Sequence, residues 1–115
     1  MRTIVTVKSA RAKAGVLAVP MFSDHLDAPY LREVDSKSGG RVAALRTIGE
    51  AKGSRYSSSL TSAGRLPAEH LLLVGAGARS DFGRQELQRW AAAVTRRLAG
   101  RTVSRLAIDA SGIVA

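Results

Sequence analysis

The sequence predicts an α/β fold for this chain of 115 residues, and two observations carry that prediction. Short runs rich in β-branched and aliphatic residues alternate with segments whose apolar residues recur every three or four positions, in the order β-β-α-α-β-β-α-β. Some of these runs are apolar without interruption, which is typical of strands that helices cover on both faces. The length fits a single domain over residues 1–115.

The first two strands are predicted at Thr3–Val7 and Gly15–Pro20. The first alternates weakly and is rich in β-branched residues. The second is continuously apolar, and we expect it to stop at Pro20 because proline has no N–H group for the ladder.

Two helices follow. Ser23 and Asp24 are plausible caps for a short helix that carries Leu31 and Val34 at helical spacing, although Pro29 is tolerated only in a first turn. Ser38-Gly39-Gly40 opens the next helix, which Gly49 and Gly53 close. Its apolar stripe consists of Val42, Leu45 and Ile48.

The second half begins with a half-exposed or edge strand at Arg55–Thr61, because three consecutive serines interrupt its alternation. His70–Val74 is the clearest strand, and Gly75-Ala76-Gly77 is expected to end it.

The clearest helix spans Asp81–Ala99, with Asp81 as its N-cap and Gly100 after its end. A last strand is predicted at Val103–Ile108. The apolar stripe of the helix consists of Leu87, Trp90, Ala91, Val94 and Leu98.

Composition excludes several classes of function. The chain has no cysteine, so it forms no disulfide and no thiolate site. No apolar run approaches the ~20 residues that span a bilayer, and Lys8 interrupts the amino-terminal run too early for a signal peptide. We therefore expect a soluble, cytoplasmic protein without a membrane partner. The net charge of +9 raises the expectation of anionic partners, although an arginine-rich composition without a binding function is the favoured explanation.

Several short segments, taken in order, resemble the amino-terminal, non-catalytic domain of the leucyl (cytosol) aminopeptidase family over roughly Thr3 to Asp109. The segments are Val16–Pro20 with Phe22, Ser38-Gly39-Gly40, Gly49–Gly53, Leu71–Gly77 and the helix around Glu86-Leu87-Gln88-Arg89. Trp90 departs from the small residue expected in that helix.

The resemblance implies a three-layer, macro-domain-like sandwich with a mixed sheet and helices on both faces. In that family a carboxy-terminal domain holds two divalent metal ions, zinc or manganese, and removes amino-terminal residues, preferably leucine, within a homohexamer. Its ligand segment Asn-Thr-Asp-Ala-Glu-Gly-Arg does not occur here. We therefore expect a truncated amino-terminal domain with an assembly or regulatory role, without catalytic residues, metal ligands or cofactor, whose partners are the catalytic domain and other subunits.

Two other functions stay open. The turn with Gly75, Gly77 and Ser80 follows a strand and precedes a helix, so its N–H groups could hold the phosphates of ADP-ribose or another nucleotide. The same glycines also suit a tight turn without a ligand.

The histidines, His25 and His70, are not paired by local spacing, so they predict no metal site.

A basic surface on the last helix is the second alternative, because arginines can contact the phosphates of nucleic acids, and some bacterial members of the family bind DNA. Arg89 and Arg96 are predicted to point away from the apolar stripe, although a solvated helix face without a ligand is the favoured interpretation. The candidate surface consists of Arg84, Arg89, Arg96, Arg97, Arg101 and Arg105.

Overall fold

The computed structural model describes residues 4–7, 14–101, 103, 106–109 and 111–113. It confirms the predicted order of elements. The strands are β1 (Ile4–Val7), β2 (Ala14–Phe22), β3 (Ser58–Ser62), β4 (Ala68–Gly77) and β5 (Leu106–Asp109). The helices are α1 (Pro29–Lys37), α2 (Arg41–Thr47) and α3 (Arg84–Leu98), with a 3-10 turn at Arg79–Asp81.

The described strands form one mixed sheet in the order β1-β5-β2-β4-β3. β1, β5, β2 and β4 run parallel, and β3 pairs antiparallel with β4 at an edge of the sheet. The mixed sheet and the edge position of the serine-rich strand are therefore as predicted.

Two hydrophobic clusters pack against this sheet. The first contains Leu17 and Val19 of β2 together with residues of α1 and α2. The second contains Val16 and Ala18 of β2 together with residues of α3. Because successive side chains of a strand point to opposite faces, the two clusters lie on opposite sides of β2.

Trp90 anchors α3 to the sheet. Its side chain is fully buried, and its indole N–H donates to the carbonyl of Val74 at 3.0 Å. The hydrogen bond satisfies the one polar group of this large side chain, which is what burial of a tryptophan requires. The other stripe residues of α3 also pack in the second cluster, as predicted, and Ala93 joins them.

β2 continues through Pro20 to Phe22, so the prediction that Pro20 ends the strand is wrong. The Pro20 carbonyl accepts from the Tyr30 hydroxyl at 2.6 Å. The N and O atoms of one strand residue point to the same side, and β5 flanks β2 only at Val16–Ala18. The proline nitrogen therefore points to the side of β2 on which no neighbouring strand forms hydrogen bonds at this position, so the missing N–H group breaks no pairing.

β4 likewise continues through Gly75 to Gly77 instead of ending before them. The reason is a close approach of neighbouring backbone. A Cβ atom on Gly75 would lie 1.7 Å from the Ser54 carbonyl oxygen, so the glycine admits the loop beside the strand.

The starts of α1 and α3 differ from the predictions. Neither Ser23 nor Asp24 caps α1, which begins at Pro29, the first-turn position that proline tolerates. Asp81 lies in the 3-10 turn and not at the N-cap of α3, which is Gly83. The intervening Phe82 is extended, and its ring packs edge-on against Phe22 with 5.0 Å between centroids.

The apolar stripe of α2 is shorter than predicted. Val42 is buried, but Ile48 lies just beyond the last helical residue and is 72% exposed. Gly49 follows with a φ of 78° and ends the helix as expected. Among the described residues, no helix has the length and apolar character needed to cross a bilayer.

Replacing Gly75 with alanine should destabilise the fold by at least about 3 kcal/mol, because the new methyl group overlaps a backbone carbonyl that cannot move aside like a side chain. Gly83→Ala is the matched control, since its Cβ meets only the flexible Glu86 carboxylate at 3.2 Å. That variant should stay within about 1 kcal/mol of the wild type. Chemical denaturation measures both, and equal losses would contradict the close approach.

Candidate functional site at the carboxyl edge of the sheet

The parallel strands β2, β4 and β5 end at the same edge of the sheet, and polar residues follow or end each of them. In open α/β sheets this edge is the usual place for a ligand. Asp24 follows β2, Arg79 follows β4 and Asp109 ends β5, while Tyr30 reaches the edge from α1. We call these four residues the edge clasp.

Arg79 makes most of the contacts within the edge clasp. Its backbone N–H donates to the Asp24 carboxylate at 2.9 Å. Its guanidinium donates to the carbonyls of Gly112 and Ile113 at 3.2 and 3.1 Å and lies 5.3 Å from the centre of the Phe22 ring. Arg79 therefore links the ends of β2 and β4 to the segment 111–113 that follows β5.

The Tyr30 ring packs against the same segment, 111–113. Its hydroxyl donates to the Pro20 carbonyl, and a Cβ atom on Gly112 would lie 2.5 Å from two of its ring carbons. Burial, followed by the nearby Asp109 carboxylate, raises the pKa of Tyr30, and the Arg79 guanidinium partly opposes this shift. The phenol is therefore held protonated well beyond its ordinary range.

The two carboxylates of the edge clasp accept hydrogen bonds from nearby groups. Asp109 accepts from the N–H of Ser111 at 3.0 Å. Asp24 accepts from Arg79 and from Nδ1 of His25 at 3.0 Å. The Arg79 N–H, followed by His25, lowers the pKa of Asp24. The bond from Arg79 joins the segment after β4 to the segment after β2, while the bonds from His25 and Ser111 are local to the two carboxylates.

Sequence reasoning missed most of the edge clasp. The sequence predicts Asp24 as a helix cap, and no local pattern singles out Tyr30, Arg79 or Asp109. The partners of Arg79 lie more than thirty positions away in sequence, so no local spacing could have revealed them. The one available signal was Asp109 itself, a carboxylate at the end of an apolar strand.

The predicted phosphate turn has a different geometry from the one expected. Gly75 and Gly77 lie within β4, and their N–H groups donate to the carbonyls of Ser57 and Gly53 at 2.8 and 2.9 Å. Ser80 is exposed in the 3-10 turn. The two glycine donors are therefore already used, and a phosphate site at this turn stays a prediction that would depend on Ser80.

The predicted basic surface lies mainly on α3. Arg84, Arg89, Arg96 and Arg101 are exposed, and Arg97 is half-buried. Arg105 lies outside the described residues. None of the ion pairs found in the described part of the chain includes an arginine of α3. The Glu86 carboxylate accepts from the Gly83 N–H at 2.9 Å, which lowers its pKa and helps to cap the helix.

The histidines and carboxylates do not converge. His25 pairs with Asp24, whereas His70 is exposed near the start of β4, the opposite end of that strand from Gly77. Within the described ranges, no group of three or more histidine and acidic side chains is arranged to hold a metal ion.

Residues 18–115 match the sequence profile of the cytosol aminopeptidase family, N-terminal domain. The chain belongs to this family. The predicted resemblance is therefore confirmed, although the match begins at residue 18 and not at Thr3. A search of curated proteins found no match.

As a cytosol aminopeptidase N-terminal domain, the chain is implied to associate with a catalytic domain, and the family as a whole is metal-dependent. The complete edge clasp and all of α3 fall within the matched residues. The features described above therefore belong to the part of the chain that defines its family.

Replacing Tyr30 with phenylalanine should alter the pH dependence of stability. The folded protein keeps the phenol proton above the ordinary value of 10.0, whereas the unfolded chain releases it. The free energy of unfolding of the wild type should therefore fall as pH rises above 10, by up to about 1.4 kcal/mol per pH unit for this one proton. Tyr30→Phe should lack that component.

Denaturant titrations between pH 8 and pH 11.5 test this expectation. At pH 8 the variant should be less stable by about 1 kcal/mol, because the hydrogen bond to Pro20 is lost. Tyr56→Phe is the control, since Tyr56 lies in an exposed loop, and it should follow the wild-type profile. Parallel profiles for Tyr30→Phe and the wild type would contradict the environment described for Tyr30.

Proposed function

We propose that this chain is the assembly or regulatory domain of a leucyl aminopeptidase. The parent enzyme would remove amino-terminal residues, preferably leucine, from peptides in the cytoplasm, with two divalent metal ions, zinc or manganese, in a separate catalytic domain. The chain itself would contribute packing and subunit contacts within a homohexamer, with these domains at its periphery. The family match over residues 18–115 supports this role.

The observation that carries the proposal is that the polar groups of the edge clasp bind other parts of the same chain. At the sheet edge where α/β domains usually bind ligands, Arg79 and Tyr30 bind backbone and ring neighbours of the same chain. Because these polar groups already bind partners within the chain, they are not free to hold a small ligand. This favours a domain that packs against other domains. The two hydrophobic clusters on opposite sides of β2 further support a three-layer, macro-domain-like arrangement.

Mixing the purified chain with a separately produced catalytic domain of the family tests the assembly role. We expect a complex by size-exclusion chromatography with light scattering. Hydrolysis of leucine p-nitroanilide in the presence of manganese or zinc should require the catalytic domain. Independent elution of the two domains would contradict assembly, and chelator-sensitive hydrolysis by the chain alone would contradict a purely non-catalytic role.

A second candidate function is binding to nucleic acid through α3. The supporting observation is that Arg89 and Arg96, seven residues apart, are both exposed, so they lie about 10 Å apart along one side of the helix. Neither takes part in an ion pair among the described residues. Two exposed guanidinium groups on one side of the helix could contact phosphates of a nucleic-acid backbone.

Fluorescence anisotropy with labelled duplex DNA at several salt concentrations tests this candidate. Binding through α3 should weaken steeply with salt, and Arg89→Glu with Arg96→Glu should reduce affinity at least about tenfold at low salt. The control changes an exposed arginine of α1, Arg32→Glu, and one further arginine elsewhere, Arg65→Glu. Equal losses in the two double variants would indicate non-specific attraction to net charge and would contradict a site on α3.

A further inference from the structure

A cavity of about 300 Å³ opens on the side of the sheet that α3 covers, at the amino ends of β2 and β4. It therefore lies at the opposite edge of the sheet from the edge clasp. Three of the lining residues lie on neighbouring strands, and three lie at the end of α3 or in the loop that follows it. The lining consists of Val16, Leu60, His70, Leu98, Arg101 and Val103.

The register of the strands directs the floor of the cavity toward α3. His70 pairs with Val16 of β2, and Leu72, two positions further along β4, pairs with Leu60 of β3. Val16, Leu60 and Leu72 all belong to the second hydrophobic cluster, on the α3 side of the sheet. Because residues two apart in a strand share a face, His70 points to the same side as Leu72, whereas Glu69 points to the other side.

The cavity exists because α3 ends at the level of His70. The Trp90 indole donates to the Val74 carbonyl, which fixes the position of α3 along β4. From Trp90 the helix advances about 12 Å to its end at Leu98, and from Val74 the strand leads back about 13 Å to His70. The last turn of α3 therefore lies opposite His70, and the helix covers the sheet only to that point.

Backbone hydrogen bonds hold the loop after α3 beside the cavity. The N–H of Arg101 donates to the Leu98 carbonyl at 3.0 Å, and the N–H of Val103 donates to the Arg101 carbonyl at 3.1 Å. The half-buried Val103 also packs against the second hydrophobic cluster. The wall that carries Arg101 is therefore a defined part of the fold.

The lining combines aliphatic walls with two polar side chains. Four of the six lining residues are aliphatic, and the other two, His70 and Arg101, are exposed. Within the described part of the chain, neither of these two side chains has a hydrogen-bond or ion-pair partner. None of the six lining residues is acidic. Small-molecule sites have this composition, in which a few polar groups orient a mostly apolar ligand.

We propose that this cavity binds a small organic acid that has an apolar body and a single carboxylate. The apolar body packs against Val16, Leu60 and Leu98, and the carboxylate accepts hydrogen bonds from Arg101 and His70. A ligand that also carries an ammonium group, such as a free amino acid, is disfavoured because the lining provides a cation and no carboxylate to pair with it.

The size of the cavity narrows the class of acid. Its volume is roughly twice the ~150 Å³ of a protein cavity that accommodates benzene. A phenyl ring with a short alkyl chain and a terminal carboxylate therefore fits the space. This inference is independent of the role proposed within an aminopeptidase.

Phenylbutanoate, titrated into the intact chain and followed by heteronuclear NMR, is the probe for the proposal. We expect saturable shifts of the backbone amides of Val16, His70 and Leu98, with little change at Arg79 in the edge clasp. Phenylbutanol keeps the apolar body without the charge and should bind about tenfold more weakly. Phenylbutylamine, in which an ammonium group replaces the carboxylate, should bind more weakly still.

Protein variants separate the charge from the space. Arg101→Gln should weaken the binding of phenylbutanoate about tenfold and leave that of phenylbutanol within about twofold. Leu60→Trp fills the space with an indole and should abolish the binding of both ligands. Arg32→Gln is the matched control, because it removes the same charge from α1 on the other side of the sheet, and it should leave both affinities within about twofold. Arg101 is exposed, so its variant tests the site even if Leu60→Trp does not fold.

Three results would overturn the proposal. The first is the lack of a saturable shift at Val16, His70 and Leu98 up to about 10 mM phenylbutanoate. The second is equal affinity for the acid, the alcohol and the amine, which would show that the site does not recognise a carboxylate. The third is an equal loss of affinity in Arg101→Gln and Arg32→Gln, which would leave only attraction to net charge.

The DNA-binding function has a separate test. That test changes Arg89 and Arg96, which do not line the cavity. A chain that binds DNA without phenylbutanoate, or phenylbutanoate without DNA, would therefore decide the two hypotheses independently.

Discussion

The parallel pairing of β2 with β4 is the constraint on which the rest of the structure depends. Eight residue pairs join the two strands, and side chains on both faces of each are buried. Parallel neighbours cannot be joined by a tight turn, so the chain between Phe22 and Ala68 forms α1, α2 and β3 before it returns. α3 then leads from β4 to β5 across the other side, and the two hydrophobic clusters follow from these crossings.

Close backbone contacts at the carboxyl ends of these strands determine what the edge can do. Gly75 admits the Ser54 carbonyl, and Gly53 lies so near Ser23 that a Cβ atom there would be 2.7 Å from its nitrogen. The loop before β3 and the segment after β5 therefore both lie against the strand ends. Arg79 provides a guanidinium for carbonyls that would otherwise need water as their partner. A well-packed edge of this kind is consistent with the assembly role proposed above.

The arginines of the chain lie in two different environments. Arg79 points inward, where it holds backbone carbonyls and lies over an aromatic ring, and this use of arginine depends on its planar, multivalent donor group. Arg84, Arg89 and Arg96 of α3 are instead exposed to solvent. Surface charge of one sign acts mainly on encounter and selection of partners, so the exposed arginines of α3 would act at that stage in the nucleic-acid binding proposed above.

The sequence by itself determined the class of fold and the order of the elements, because apolar periodicity and glycine positions are local properties, while the family was indicated by the resemblance of its short segments and shown by the profile match. The stripe of α3 and the strand at His70–Val74 show this directly. The tertiary structure decided the strand order, the continuation of β2 through Pro20 and the edge clasp. The contacts involved join residues that are distant in sequence. The Tyr30 hydroxyl donates to the Pro20 carbonyl, the Ser54 carbonyl lies where only a glycine fits at position 75, and Arg79 donates to the segment 111–113. Such contacts leave no periodic trace in the chain, since only folding brings their atoms together.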